Sequence, residues 1–410
     1  MNTTAHPNQP PSLSLLAAAP HRLLFFVGAL NVLAAMAWWT LWMAATRWPL
    51  PAMPAPAVPP GWGHGLVMGY QVFTPFIFGF LLTVFPRWMN QPALSRWHYV
   101  PVGIGLLVGQ ALVLAGLLGP AHLLHLGVLV TLVGWASGLC SLAGVLWRDA
   151  FRTWHGISTW VALAFGWSGL LLFAVWLHRP EAVNLVFASF RIAPLVFLLP
   201  VYLTVVHRML PFFAGNVVPG YRLWRPGWVI PAFWLLLMLH LVLELMHGYA
   251  WLWLADLPLL GLGLLMLWRM WPRGPAPGLL RVLFIALAWF PLAMALFSVQ
   301  SLWFAFTGAF ELGRAPMHAL AVGFFGTMLV AMVTRVTQGH SGRPLAMTAA
   351  AWLAFWGVQL AAVVRLAAEF GADTWAWQAA AGALWLAAFL PWVLHSAWIY
   401  LTPRADRRAG

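Results

Sequence analysis

Residues 316–337 read PMHALAVGFFGTMLVAMVTRVT. No charged side chain falls between His318 and Arg335. A helix that crosses the hydrocarbon core of a bilayer needs about 20 mostly apolar residues, so this stretch predicts a transmembrane helix. Working outward, runs of the same kind recur over 22–46, 64–85, 97–118, 121–147, 154–177, 184–210, 228–248, 251–271, 280–299, 346–369 and 374–401. Turn-forming residues separate them, as at Pro49–Pro60, Gly119-Pro120, Pro272–Gly278 and Gly342–Pro344. Backbone polar groups in lipid must be paired within the segment, which selects helices. The alternation of a membrane barrel is not seen. The expected fold is an all-α polytopic membrane protein of twelve transmembrane helices.

Composition agrees. The 410 residues are 63% hydrophobic and 7% charged, whereas a soluble domain carries about 25% charged residues. The lipid bilayer is thus the first partner. The net charge of +13 is no nucleic-acid footprint, because all 21 basic residues are Arg and, apart from a short tail, they lie singly between apolar runs. With the N-terminus in the cytoplasm, sixteen Arg fall in cytoplasmic segments. Only Arg47, Arg179 and Arg314 fall on the opposite side. That asymmetry is the positive-inside pattern, and an odd number of spans would scramble it. The organisation expected is a polar tail at 1–21 without the basic region of a secretory signal, a membrane domain at 22–401 and a basic tail at 402–410. The lone cysteine, Cys140, excludes an intrachain disulfide and sites built on several thiolates.

Spans two, six and ten share features. Each closes with an Arg on the cytoplasmic side, Arg87, Arg208 and Arg335, preceded by Thr83, Thr204 and Thr334. Spans two and ten also open alike, with His64-Gly-Leu-Val-Met-Gly-Tyr70 and His318-Ala-Leu-Ala-Val-Gly-Phe324. The pattern is compatible with three repeats of four helices, a plan that resembles the haem–copper oxidase core.

Fourteen His stand against eight acidic residues, and ionisable groups within lipid usually face a protein interior or a cavity. His64 and His318 each open a span at the outer boundary. A neutral imidazole is a good ligand for haem iron or copper, and two such helices could clamp a macrocycle; an imidazole at a membrane boundary could equally meet headgroups and water. Met68 follows His64 on the same helical stripe. In span seven, His240, Glu244 and His247 lie at i, i+4 and i+7, a spacing that suits a metal, a carboxylate-oriented imidazole, a proton path or a polar helix end. His122 and His125 share a face at the start of span four, where they could approach a metal or solvent. Arg191 and Arg365 lie within spans. Glu244, Glu369 or the carboxylates of a bound ligand such as haem propionates could neutralise them.

The run Met317-His-Ala-Leu-Ala-Val-Gly-Phe-Phe-Gly-Thr-Met-Leu-Val-Ala-Met-Val-Thr-Arg-Val-Thr-Gln-Gly-His-Ser-Gly-Arg-Pro344 resembles the tenth span of the NnrS family. Gly79-Phe-Leu-Leu-Thr-Val-Phe-Pro-Arg-Trp88, Arg208-Met-Leu-Pro-Phe-Phe213 and Pro403-Arg-Ala-Asp-Arg-Arg-Ala-Gly410 are further matches in the expected order. The resemblance implies a twelve-helix bacterial inner-membrane protein that binds haem b and copper and is linked to nitric oxide and nitrosative stress. It carries a ligand role to His318 and importance to His340 and Arg343. The family's second span opens with His-x-His-Glu, where this chain has Trp62, Gly63, His64 and Gly65, and Gln110 stands where family members often carry Arg. These departures weaken the expectation of copper more than that of haem. The iron would be held by His64 and His318, or by one of them with His240. A transporter or channel with a polar intramembrane path, and a membrane scaffold or assembly factor, are the alternative readings.

Overall fold

A computed structural model describes residues 11–51 and 53–406. The expected tails at 1–21 and 402–410 lie partly outside the described residues. Among the described residues eleven helices are long and apolar enough to cross a membrane: α1 Pro20–Arg47, α2 Pro60–Trp88, α3 Arg96–Leu117, α4 Ala121–Arg148, α5 Trp154–His178, α6 Val183–Gly215, α8 Tyr249–Met270, α9 Gly278–Thr307, α10 Ala315–His340, α11 Ala349–Ala367 and α12 Thr374–Leu401. Between α6 and α8 lies the shorter apolar helix α7, Val229–Leu245, with 17 residues. At 1.5 Å per residue it reaches about 26 Å, a little short of a hydrocarbon core of about 30 Å. No strand occurs among the described residues.

The two ends of the described chain meet. The Ser12 N–H donates to the Leu401 carbonyl at 2.8 Å, and the Arg22 guanidinium donates to the carbonyls of Tyr400 and Thr402, each at 2.9 Å. Both ends therefore sit on one face of the bundle, here the terminal face, as an even number of crossings requires.

The packing repeats three times. The first helix of each group of four packs on the second: α1 on α2, α5 on α6, α9 on α10. The last helix packs on the first of the next group: α4 on α5, α8 on α9, and α12 back on α1 to close the ring. The second helices, α2, α6 and α10, form the interior. Within their most apolar stretches 83%, 72% and 83% of residues are buried, against 61% or less in the other long helices. Each of the three carries a π-helical stretch, at Met68–Val72, Ala193–Leu198 and Ala319–Gly326. Such widened turns are rare and often sit at functional sites.

Polar side chains inside the bundle answer backbone needs. Pro75 has no N–H to give the Gln71 carbonyl one turn before it. The Asn31 side-chain amide of α1 donates to that carbonyl instead, at 3.2 Å. Gln110 of α3 donates to the Asn31 carbonyl at 2.9 Å, and Gln71 donates to Thr131 of α4 at 3.1 Å, so one network ties the first four helices. The third group has its counterpart: Trp289 of α9 donates to Gln359 of α11 at 2.7 Å, and Gln359 donates to Thr327 of α10 at 2.7 Å. Between α3 and α4 the backbones touch at Gly105 and Gly134, where a Cβ on Gly105 would stand 2.5 Å from the Gly134 Cα. Small residues let membrane helices approach this closely.

Candidate functional site

The helices bring His64 and His318 to the wall of one cavity of about 380 Å³, at the end of the bundle away from the terminal face. Cofactor pockets typically fall within about 300–1,000 Å³. The stripes that line it follow helical spacing. On α2 they are Gly61, His64, Gly65, Met68 and Gly69; on α10, His318, Ala321, Val322 and Phe325; on α12, Gln378, Ala381, Gly382 and Trp385. Glycine leaves room on the α2 wall, and a Cβ on Gly61 would meet no atom within 4 Å. Trp39, Trp62 and Phe190 add flat apolar surface.

Each imidazole is held from behind. The His64 ring stacks on Trp39 with centroids 4.2 Å apart and planes 16° from parallel. His318 donates from Nδ1 to the Arg314 carbonyl at 2.9 Å. That bond leaves Nε2 as the nitrogen with a free lone pair, as a second-shell carbonyl does for a metal-bound histidine. Among the described residues no hydrogen-bond partner meets Nε2 of His318 or either nitrogen of His64.

Three guanidiniums lie on the same wall, those of Arg191, Arg314 and Arg365. Arg191 pairs with Glu244 at 2.8 Å and Arg365 with Glu369 at 2.6 Å. Arg314 has no ion-pair partner among the described residues. Three cations face two carboxylates, so the cavity carries a positive bias suited to an anionic group. A second cavity, of about 470 Å³, adjoins the first, and the two share Arg191, Arg314, Met317 and His318. Its own wall is more polar, with Glu244, Tyr249, Gln300 and Ser301.

Span seven is arranged differently from its spacing. α7 ends at Leu245, so His247 lies past the helix with φ of +56°. Its ring packs on Phe187 and Tyr249, at 5.0 and 5.8 Å. His240 is buried and donates from Nδ1 to Asp256 of α8 at 2.6 Å, with Nε2 3.7 Å from Glu244. Asp256, fully buried, was not foreseen from the sequence, although a carboxylate inside predicted span eight is costly in lipid and should be paired. Arg314, counted there as a loop charge, also joins the cavity. His122 is exposed, and His125 turns to His178 of α5 at 3.3 Å. His240 does not line the cavity of His64 and His318. Among the described residues no group of three or more His, Cys, Asp or Glu is placed to hold a metal ion.

At the terminal face other imidazoles meet partners of their own. His155 and His207 lie 3.1 Å apart between ring nitrogens, and His340 receives Arg87 at 3.1 Å. His340 donates to the Val336 carbonyl at 3.0 Å. These groups bind the ends of helices to one another rather than line the cavity.

A comparison with curated proteins returns no match. A family model described as NnrS protein matches residues 15–404, nearly the whole chain, in agreement with the run from Met317 to Pro344 and with the twelve-helix ring. The chain belongs to the NnrS family.

Proposed function

We propose that this protein binds haem b between His64 and His318 and serves the response to nitric oxide in the bacterial inner membrane, with both termini in the cytoplasm. The observation that carries the reading is the convergence of two imidazoles, from α2 and α10, on one aromatic-walled cavity with a positive rim. A haem there would supply an iron centre able to exchange electrons or bind a diatomic molecule. Trp39 would fix the plane of the His64 ring, and the Arg314 carbonyl would orient His318. Arg314, with Arg191 and Arg365, would meet propionate carboxylates as charge-assisted donors. Family membership supports the nitric oxide link, and the sixteen-to-three arginine asymmetry supports the orientation.

Copper has a narrower basis. Met36, Met68 and Met317 bring thioethers to the same cavity, and Cu(I) favours such soft donors. Among the described residues no further imidazole or thiolate joins His64 and His318 there.

The test is the visible spectrum and metal content of the full-length protein purified in detergent from haem-replete cells. A Soret band that weakens in both His64→Ala and His318→Ala supports the reading, and copper content scored beside it decides the second metal. A colourless protein, or a spectrum indifferent to both substitutions, overturns it and turns attention to transport or scaffolding.

A further inference from the structure

A third space lies on the axis of the bundle. Its walls come mainly from the three interior helices, through Ile77 and Leu81 of α2, Val201 and Val205 of α6, and Leu329 and Val333 of α10. It holds about 60 Å³. Along α10 the lining runs from Met328 to Val336, about 12 Å at the rise of an α-helix, toward the terminal face. All the lining side chains are apolar except Tyr202.

Three rings separate this space from the cavity of His64 and His318. Phe73, Tyr202 and Phe325, one from each interior helix, pack together with centroids 6.2, 5.9 and 4.8 Å apart. Phe73 and Phe325 also line the main cavity, whereas Tyr202 lines the axial one. The trio sits at or just past the three π-helical stretches: Phe73 follows the first, Tyr202 comes one turn after the second, and Phe325 lies in the third.

The chemistry of the walls selects the occupant. A water needs about 10–15 Å³ and two to four polar partners. The room is sufficient, but only one polar group is offered. A buried tyrosine hydroxyl ordinarily finds a hydrogen-bond partner. Tyr202 lines the cavity, and its hydroxyl has no hydrogen-bond partner among the described residues. An occupant must therefore be small, uncharged and largely apolar, with one atom able to accept a weak hydrogen bond. An acyl chain meets the apolar requirement and leaves the hydroxyl unanswered.

We propose that the axial cavity binds a small uncharged molecule of diatomic size with a weak acceptor atom, held next to the Phe73–Tyr202–Phe325 trio and passed between it and the main cavity. The binding claim stands on the axial cavity alone, and the transfer claim rests on the haem reading above.

Two experiments decide it. Crystals of the full-length protein pressurised with xenon are expected to show xenon between Leu81, Val205 and Leu329 in the wild type. The site should vanish in Val205→Phe, with Leu329→Phe as the second filling variant if the first melts early. No xenon there, or an acyl chain already in place, overturns the binding claim. In the haem-loaded protein, carbon monoxide is released by a light flash and the fraction that rebinds from within the protein is recorded. Val205→Phe should lower that fraction at least twofold and Tyr202→Phe should lower it also, with the equilibrium spectrum unchanged. Equal fractions in wild type and both variants overturn the transfer claim. A colourless protein removes the haem reading instead and leaves the xenon result to judge the cavity.

Discussion

Replacing Asp256 by Leu should destabilise the bundle strongly, and replacing His240 at the same time should restore much of the loss. The pair is deeply buried, with side chains 1% and 0% exposed, and its nitrogen-to-oxygen distance is 2.6 Å. Removing one member of a buried ionic pair strands the other in apolar surroundings and typically costs about 3–5 kcal/mol. At about 1.4 kcal/mol per factor of ten, that is roughly a two- to three-and-a-half-decade fall in the folded-to-unfolded ratio. The lower end of the range applies here. His240 Nε2 stands only 3.7 Å from Glu244, so a small shift gives the stranded imidazole another carboxylate. In the double variant nothing charged is stranded at this point, and a well-packed apolar pair of similar volume is often neutral or stabilising by about 1–4 kcal/mol. Glu244 keeps Arg191, so the neighbouring pair survives both changes. The assay is thermal unfolding in a fixed detergent, followed by the fluorescence of the abundant tryptophans, for the two single variants and the double. An Asp256→Leu protein as stable as wild type would refute the reasoning, as would a double variant no better than the worse single one.

Gly61→Leu should abolish most cofactor binding with little effect on melting, because the new side chain enters open cavity space; haem content per chain checks this. Gly105→Val should lower the melting temperature, since its Cβ would strike the Gly134 backbone rather than a movable side chain, and overpacking of this kind costs about 1–3 kcal/mol. Asn31→Leu should also destabilise, by about 1–3 kcal/mol, since the Gln71 carbonyl would lose the donor that Pro75 cannot supply. Asn31→Asp should be no better, because a carboxylate accepts and does not donate; equal stability of either variant with wild type contradicts the assignment.

Much of the fold is legible because lipid imposes a simple code. Apolar runs ended by arginine place the helices, and the predicted spans fall within a few residues of the observed ends, apart from α9, which continues to Thr307 beyond its predicted end at 299. The matched openings of spans two and ten pointed to His64 and His318, since equivalent helices in a repeat place equivalent residues at the same depth. That the two rings line one cavity is not legible, because helix order around the ring is written in contacts between surfaces and not in spacing. The ion pairs of Arg191 and Arg365 with glutamates could be named in advance, since an unpaired guanidinium in lipid is so unfavourable. Span seven shows the opposite. The i, i+4, i+7 spacing presumes a helix through residue 247, and α7 stops at Leu245, so His247 leaves the stripe while Asp256 arrives from a neighbouring helix. The π-helical stretches have only partial signals, in Pro75 and Pro194, and none of comparable kind in α10.

The most direct measurement is a density map of the purified full-length protein at a resolution that shows side chains. The account predicts a macrocycle filling the cavity beneath Trp39, its metal between the His64 ring and Nε2 of His318, and its carboxylates toward Arg314. A macrocycle bound elsewhere, or lipid occupying the space between those two rings, would contradict it.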